Sequence, residues 1–162
     1  MAVLKEIKTG ELAIGSDGDV FSTGSVGSCL VIVLYDGENR IGGLAHAMLP
    51  SGDHAFANGA VDFSTGNTSG KYVDVAIDNL VQGICHQGGK VENLSARLVG
   101  GATMFRRLTA DKFGIGYQNI AAARDHLKKL KISIENEDTG GSSGKSVEFD
   151  LKTGMVKINT VI

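Results

Sequence analysis

Residues 29–35, CLVIVLY, constrain the fold more than any other segment, because every one of them is apolar. A short run that is apolar on both faces and rich in β-branched side chains predicts a strand buried at the centre of a sheet. Glycine content favours further strands, since the 162 residues include 23 glycines and one proline, Pro50. Glycine at this density indicates many tight turns, bulges and close backbone approaches.

The remaining pattern predicts an α+β protein with a mixed β-sheet. Further strands are expected at residues 11–15, 20–24, 41–49, 95–99, 132–135, 147–151 and 156–161. Strands come first along the chain and are followed by helix, strand, helix and more strands, which argues against a doubly wound fold. Because the length is about that of one domain, we expect a single domain over residues 1–162.

Two helices are predicted. The first carries one apolar stripe at helical spacing, made by Val73, Ile77, Leu80, Val81 and Ile84. Ser69 or Thr68 is expected to cap its start, and Gly88 follows its end. The second helix is expected over about residues 117–130, with lysines in its last turn that suit the helix dipole.

The charge balance excludes some classes of protein. The chain has 16 Lys and Arg residues against 18 Asp and Glu residues, which gives a net charge of −2. This balance argues against a non-specific nucleic-acid binder and against a polybasic membrane binder. Cys29 and Cys85 form neither a disulfide framework nor a zinc spacing. We therefore expect a soluble cytoplasmic protein that is not inserted in a membrane.

The segment Thr23–Cys29, TGSVGSC, is the most informative for chemistry. A small, glycine-bearing loop delivers Cys29 to the start of the predicted buried strand. Such a loop leaves backbone N–H groups free for a developing oxyanion, and those of Ser28 and Cys29 are the candidates. A thiol in this position suits a nucleophile. The alternative is a buried structural cysteine, since free cysteines are among the most buried residues.

His46 is the candidate base for this thiol. If strands 29–35 and 41–47 form a hairpin closed on Asp36 and Asn39, Cys29 and His46 lie directly opposite each other on one face. An adjacent imidazole would raise the thiolate fraction and donate a proton to a leaving group. The alternative is a hydrogen-bonded core histidine. The group that orients the imidazole stays open among Thr23, Ser22, Ser28, Asp53 and Asp62.

Other segments give weaker signals. Gly144-Lys145-Ser146 lacks the first glycine of a phosphate loop and precedes a strand rather than a helix. Cys85 and His86 have no further metal ligands at a suitable spacing. Met104 and Phe105, followed by two arginines, are either core residues or a docking patch for a partner.

Seven ordered motifs together resemble one known family. In chain order they are TGSVGSC, LYD, GGLAHAMLP, KYVDVAIDNL, GGATMF, IGYQN and DTGGSSGK. The match as a whole spans about residues 12–156, and only 51–69 has no clear counterpart. This pattern resembles the CheD family of chemoreceptor glutamine deamidases. The resemblance implies a Cys–His–Thr triad in which Cys29 is the nucleophile, His46 the base and Thr23 the residue that orients the imidazole.

The resemblance implies more than the triad. It implies hydrolysis of glutamine side-chain amides on chemotaxis receptors, no metal or organic cofactor, and a CheC-class chemotaxis phosphatase as partner. It also implies a β-sandwich with both helices on one outer face. Ala47 departs from the bulky aromatic residue that often follows the histidine in this family, so we expect a roomier pocket beside His46. A binding module without catalysis, a thiol peptidase and a side activity on receptor methyl esters remain open.

Overall fold

Two β-sheets and two helices build the chain, in a computed structural model that describes residues 3–52, 69–103 and 114–161. The strands are β1 Leu4–Glu6, β2 Leu12–Ser16, β3 Val20–Val26, β4 Leu30–Asp36, β5 Ile41–Ala47, β6 Leu94–Gly100, β7 Ser133–Thr139, β8 Gly144–Asp150 and β9 Val156–Val161. The helices are α1 Val73–His86 and α2 Ile115–Lys129, and a short 3-10 turn spans Val91–Asn93. No helix in these three ranges is long and apolar enough to cross a membrane.

Both sheets are mixed. The four-stranded sheet has the order β1-β3-β8-β9, and the five-stranded sheet has the order β2-β5-β4-β6-β7. Each contains one parallel pair, β1 with β3 and β6 with β7. All residues of β4 are buried, and β4 lies in the middle of the five-stranded sheet. The central buried strand and the α+β class are therefore confirmed.

Strand β4 separates two hydrophobic layers because its side chains alternate between the two faces of the sheet. Val31, Val33 and Tyr35 pack between the sheets, where they join Phe21 and Phe149 from the four-stranded sheet. The other face of β4 packs under both helices, together with Ile77, Leu80, Ile84, Ile120, Ala123 and Leu127. The structure is thus a single-domain sandwich with both helices on one outer face, as expected.

The start of α1 differs from the prediction. Tyr72 is the residue before the helix, and no side chain caps the first turn. Ser69 lies too early in the chain to serve, and Thr68 is outside the described residues. Asp74 instead accepts hydrogen bonds from the N–H groups of Gly52 and Val75, at 2.7 and 2.8 Å. The first turn is therefore stabilised by a carboxylate inside the helix rather than by a preceding hydroxyl.

The β4–β5 hairpin is wider than predicted. Asp36 pairs with Ile41, so four residues form the connection, and Arg40 adopts a left-handed φ of 54°. The Asp36 carboxylate accepts hydrogen bonds from the N–H groups of Glu38 and Asn39, each at 3.0 Å. This side chain therefore closes a longer turn than the two-residue one expected.

Candidate active site

Thr23 and His46 meet in the interior between the two sheets. Thr23 Oγ1 lies 2.7 Å from His46 Nδ1, and both residues are buried. The hydroxyl comes from β3 and the imidazole from β5, so the hydrogen bond joins the two sheets. Ser22, one residue earlier on β3, points to the opposite face of its sheet. Asp53 and Asp62 lie outside the described residues.

The other imidazole nitrogen is unpaired. His46 Nε2 is buried and has no hydrogen-bond partner among the described residues. Burial lowers the pKa of His46 below its ordinary value of 6.5, because the charged form loses hydration. The ring is therefore neutral at pH 7, and one of its nitrogens remains available for chemistry.

Cys29 precedes β4 by one residue, at the end of the loop 27–29, which we call the nucleophile loop. The prediction that Cys29 faces His46 directly is wrong, because Val31 is the partner of His46. The wider hairpin moves the register by two residues. Cys29 itself precedes this pairing, which begins with Leu30 opposite Ala47 on neighbouring strands.

The thiol itself is partly exposed. Burial raises the pKa of Cys29 above its ordinary value of 9.0, and a hydrogen bond from its own backbone N–H opposes this rise. The pKa values of the thiol and the imidazole are thus shifted in opposite directions, each toward the uncharged form. Each of the two groups on its own therefore favours its neutral form.

A bulge in β3 leads the chain into the nucleophile loop. The pairing of β3 with β8 shifts register between Thr23 and Val26, and Ser25 within this step adopts a left-handed φ of 55°. A non-glycine residue in this conformation is strained, and such strain is common beside functional sites. The bulge bends β3 between Thr23 and Val26, just before the nucleophile loop begins.

All carbonyl oxygens of the nucleophile loop accept hydrogen bonds. The donors are the Ala102 N–H to Gly27 at 2.9 Å, the Asn119 side-chain amide to Ser28 at 2.9 Å, and the Gly101 N–H to Cys29 at 2.8 Å. Within the described part of the chain, no backbone carbonyl accepts from the N–H of Ser28 or Cys29. The loop is therefore anchored through its carbonyls, and no backbone carbonyl competes with an anion for these two N–H groups.

Two glycines, Gly100 at the end of β6 and Gly101 directly after it, make this anchoring possible. A Cβ atom on Gly100 would lie 2.4 Å from the Cys29 carbonyl oxygen, and one on Gly101 would lie 2.4 Å from the Ile120 side chain. Both glycines also have positive φ angles, of 111° and 66°. Only glycine fits at these two positions without displacing the loop. Their role was not predicted, although the motif GGATMF contains them.

Ala47 does not widen the site. It is fully buried with Leu30 and Ala45 in the layer beneath the helices, whereas His46 points between the sheets. Adjacent strand residues face opposite sides, so the side chain after the histidine cannot line the same pocket. The expectation of a roomier pocket beside His46 is therefore wrong.

The remaining candidates that the structure describes lie apart from this site. Cys85 is exposed near the end of α1. His126 contacts Asp78 at 2.7 Å between the two helices. The described ranges contain no group of three His, Cys, Asp or Glu side chains that could hold a metal ion. Met104 and Phe105 lie outside the described residues, so the docking patch stays a prediction.

Comparison with known proteins gives a consistent result. The family profile of CheD, described as chemotactic sensory transduction, matches residues 48–160. A probable chemoreceptor glutamine deamidase CheD from Pyrococcus abyssi is 38% identical over 160 residues, which cover 98% of this chain and 93% of that protein. One from Methanococcus vannielii is 39% identical, with 96% and 94% covered. The chemoreceptor glutamine deamidase CheD of Thermotoga maritima is 36% identical, with 97% and 92% covered.

Proposed function

The chain belongs to the CheD family, and we propose that it is a deamidase that converts selected glutamine side chains of chemotaxis receptors into glutamate. The names of its relatives support the substrate and the reaction. One observation supports the proposal most: Thr23 bonds His46 Nδ1 and leaves Nε2 unpaired, on the strand next to the one that Cys29 precedes. A nucleophile, a base and a group that orients the base are the parts that such hydrolysis needs.

The first half of the reaction forms a thioester. Cys29 Sγ attacks the carboxamide carbon of the glutamine while its proton passes to His46 Nε2. For Nε2 to accept this proton, Nδ1 must carry the other hydrogen and donate it to Thr23 Oγ1. Because the resting pair is neutral, the proton moves during the attack rather than before it. The N–H groups of Ser28 and Cys29 stabilise the oxyanion.

The second half releases the product. The His46 imidazolium protonates the leaving amino group, so the C–N bond breaks and ammonia departs. The neutral imidazole then takes a proton from a water molecule, whose oxygen attacks the thioester carbon. The C–S bond breaks, the proton returns from His46 to the thiolate, and glutamate remains on the receptor.

Three further parts of the proposal depend on the family resemblance. A CheC-class phosphatase binds the enzyme and restrains it, and Met104 and Phe105 are the proposed contact. The enzyme acts in the cytoplasm, in keeping with two cysteines that form no disulfide. An ester carbonyl can be attacked by the same thiol, so receptor methyl esters are proposed as secondary substrates.

The test is peptide mapping by mass spectrometry of a receptor cytoplasmic fragment from the same organism. Wild type should add about one dalton at particular glutamines, since –NH₂ is replaced by –OH. Cys29→Ala should add none, and Cys85→Ala should behave as wild type because Cys85 is exposed and lies away from the site. Cleaved fragments would indicate a peptidase. An unmodified fragment with folded wild type would refute deamidation and favour a binding module.

A further inference from the structure

Asn119 on α2 connects the two chain segments that carry the reacting groups. Its side chain is fully buried. The Nδ2 group donates to the carbonyl oxygen of Ser28 at 2.9 Å and to that of Met48 at 3.2 Å. Ser28 directly precedes Cys29, and Met48 lies two residues after His46. One amide therefore holds the nucleophile loop against the end of β5.

The chemistry of the contact requires an amide in this orientation. Both neighbouring groups are carbonyl oxygens, so only the NH₂ end of Asn119 can bond to them. The Oδ1 atom is then left buried, without a hydrogen-bond partner among the described residues. A buried acceptor without a partner is unfavourable. Asparagine at this position therefore indicates that the two donated bonds outweigh this cost.

The helix that carries Asn119 packs against the backbone that anchors the same loop. A Cβ atom on Gly116 would lie 2.4 Å from the Ala102 carbonyl oxygen, so the first turns of α2 touch the backbone at residues 101–102. That backbone donates the hydrogen bonds that hold the carbonyls of Gly27 and Cys29. Contacts and hydrogen bonds thus connect the helix start, the glycine pair and the nucleophile loop.

We propose that Asn119 is a positioning residue that keeps Cys29 in register with His46 by bonding the Ser28 and Met48 carbonyls. Its amide group donates to two backbone carbonyls, so we place it behind the loop and not in contact with substrate. Its effect is therefore on turnover and not on binding. The kinetic consequence rests on the proposed deamidase function, whereas the anchoring of the loop does not.

Asn119→Leu tests this role because leucine has a similar size and no hydrogen-bonding group. A displacement of the nucleophile by about 1 Å can reduce the rate by 10²-fold. We expect kcat for receptor deamidation to fall about 10- to 100-fold while KM stays within about twofold. The control is Leu127→Ala, a buried residue on the same helix away from the loop. Leu127→Ala should lower the free energy of unfolding and leave kcat unchanged. Both variants are assayed below their melting temperatures.

Alkylation of Cys29 by iodoacetamide gives a readout that needs no receptor. Peptide mapping separates Cys29 from Cys85. In Asn119→Leu the released loop should open more often, so Cys29 should be alkylated at least about threefold faster than in wild type. In Leu127→Ala the rate should equal that of wild type. Faster alkylation with slower turnover distinguishes a displaced thiol from a general change in thiol reactivity.

The outcomes separate the two proposals. If wild type deamidates the receptor and Asn119→Leu matches it in kcat and alkylation, the positioning role is wrong. The positioning role is also wrong if Leu127→Ala changes kcat and the alkylation rate as much as Asn119→Leu does. If wild type does not deamidate but Asn119→Leu still accelerates alkylation, the anchoring stands and the proposed function fails. Should Asn119→Leu not fold, Asn119→Ala takes its place, because it adds no atom to the site.

Discussion

At the scale of single residues, the environment sets the protonation state of the candidate pair. Burial raises the pKa of Cys29 and lowers that of His46. An ion pair of thiolate and imidazolium would need shifts in the reverse directions. The sequence pointed to the two residues, but it did not predict these pKa shifts toward the neutral forms. Burial of the ring between two sheets is a consequence of the tertiary structure, which the strand pattern alone does not reveal.

The pH dependence of deamidation should follow from the neutral imidazole. His46 acts as a base only when unprotonated, so activity is lost as pH falls through its pKa. Because that pKa lies below 6.5, we expect the acid limb of kcat/KM to have its midpoint below 6.5. Initial rates measured from about pH 5 to 8 give this midpoint. A midpoint above 6.5 would contradict the lowered pKa of His46.

Thr23 should matter less than Cys29. Thr23→Ala removes the hydroxyl that holds Nδ1, so the imidazole loses its orientation but keeps its basicity. We expect kcat to fall by about 10²-fold, with activity remaining above that of Cys29→Ala. Thr23→Ser should keep most of the rate. The matched control is Ser22→Ala, one residue away on the outer face of the sheet. A folded Thr23→Ala variant as inactive as Cys29→Ala would contradict this ranking.

At the scale of elements, strands and helices with a strong hydrophobic pattern were predicted well, and turns were predicted less well. The apolar run at 29–35 and the stripe starting at Val73 lie in buried elements close to the expected bounds. Strand β1 was missed because its three residues are all exposed and give no pattern. The hairpin register was wrong because the Asp36 side chain closes a four-residue connection. Such a turn depends on a side-chain hydrogen bond that strand periodicity does not encode.

Asp36 should stabilise the fold in a pH-dependent manner. Burial alone would raise its pKa, but hydrogen bonds from Asn39, Lys90 and Asn93 lower it from 3.8 to about 2. A carboxyl with a lowered folded pKa stabilises the folded state above its unfolded pKa and loses that contribution as pH falls. We expect a loss of about 2 kcal/mol between about pH 4 and 2.

The measurement compares urea unfolding of wild type and Asp36→Asn over this pH range. Asparagine does not titrate, so the difference in free energy of unfolding between the two proteins should shrink as the pH is lowered. Other carboxylates titrate equally in both proteins and cancel in the difference. A difference that stays constant from about pH 4 to 2 would mean that Asp36 has an ordinary pKa in the folded state.

At the scale of the whole molecule, the candidate site is assembled across the sandwich. Thr23 belongs to the four-stranded sheet and His46 to the five-stranded sheet, so their hydrogen bond depends on how the sheets stack. Composition and spacing left five candidates to orient the imidazole, because contacts between sheets are long-range. Thr23 was singled out only by resemblance. Asn119 was missed for the same reason, since a helix distant in sequence brings it to the loop.

Packing between the sheets should therefore control activity as well as stability. Phe149 is fully buried in this layer and meets Tyr35 edge to face, with ring centroids 5.6 Å apart. Phe149→Ala should lower the free energy of unfolding by about 3–5 kcal/mol. Leu80→Ala, in the layer beneath the helices, is the matched control and should cost about 2–5 kcal/mol.

The two variants should differ in turnover although they lose similar stability. In Phe149→Ala the sheets can shift relative to each other, which lengthens the Thr23–His46 contact and lowers kcat at temperatures where the protein stays folded. In Leu80→Ala the spacing between the sheets is unchanged, so kcat should equal that of wild type. Urea unfolding followed by circular dichroism, with kcat measured in parallel, tests this. Equal losses of kcat in both variants would mean that the site depends on overall stability and not on how the sheets are stacked.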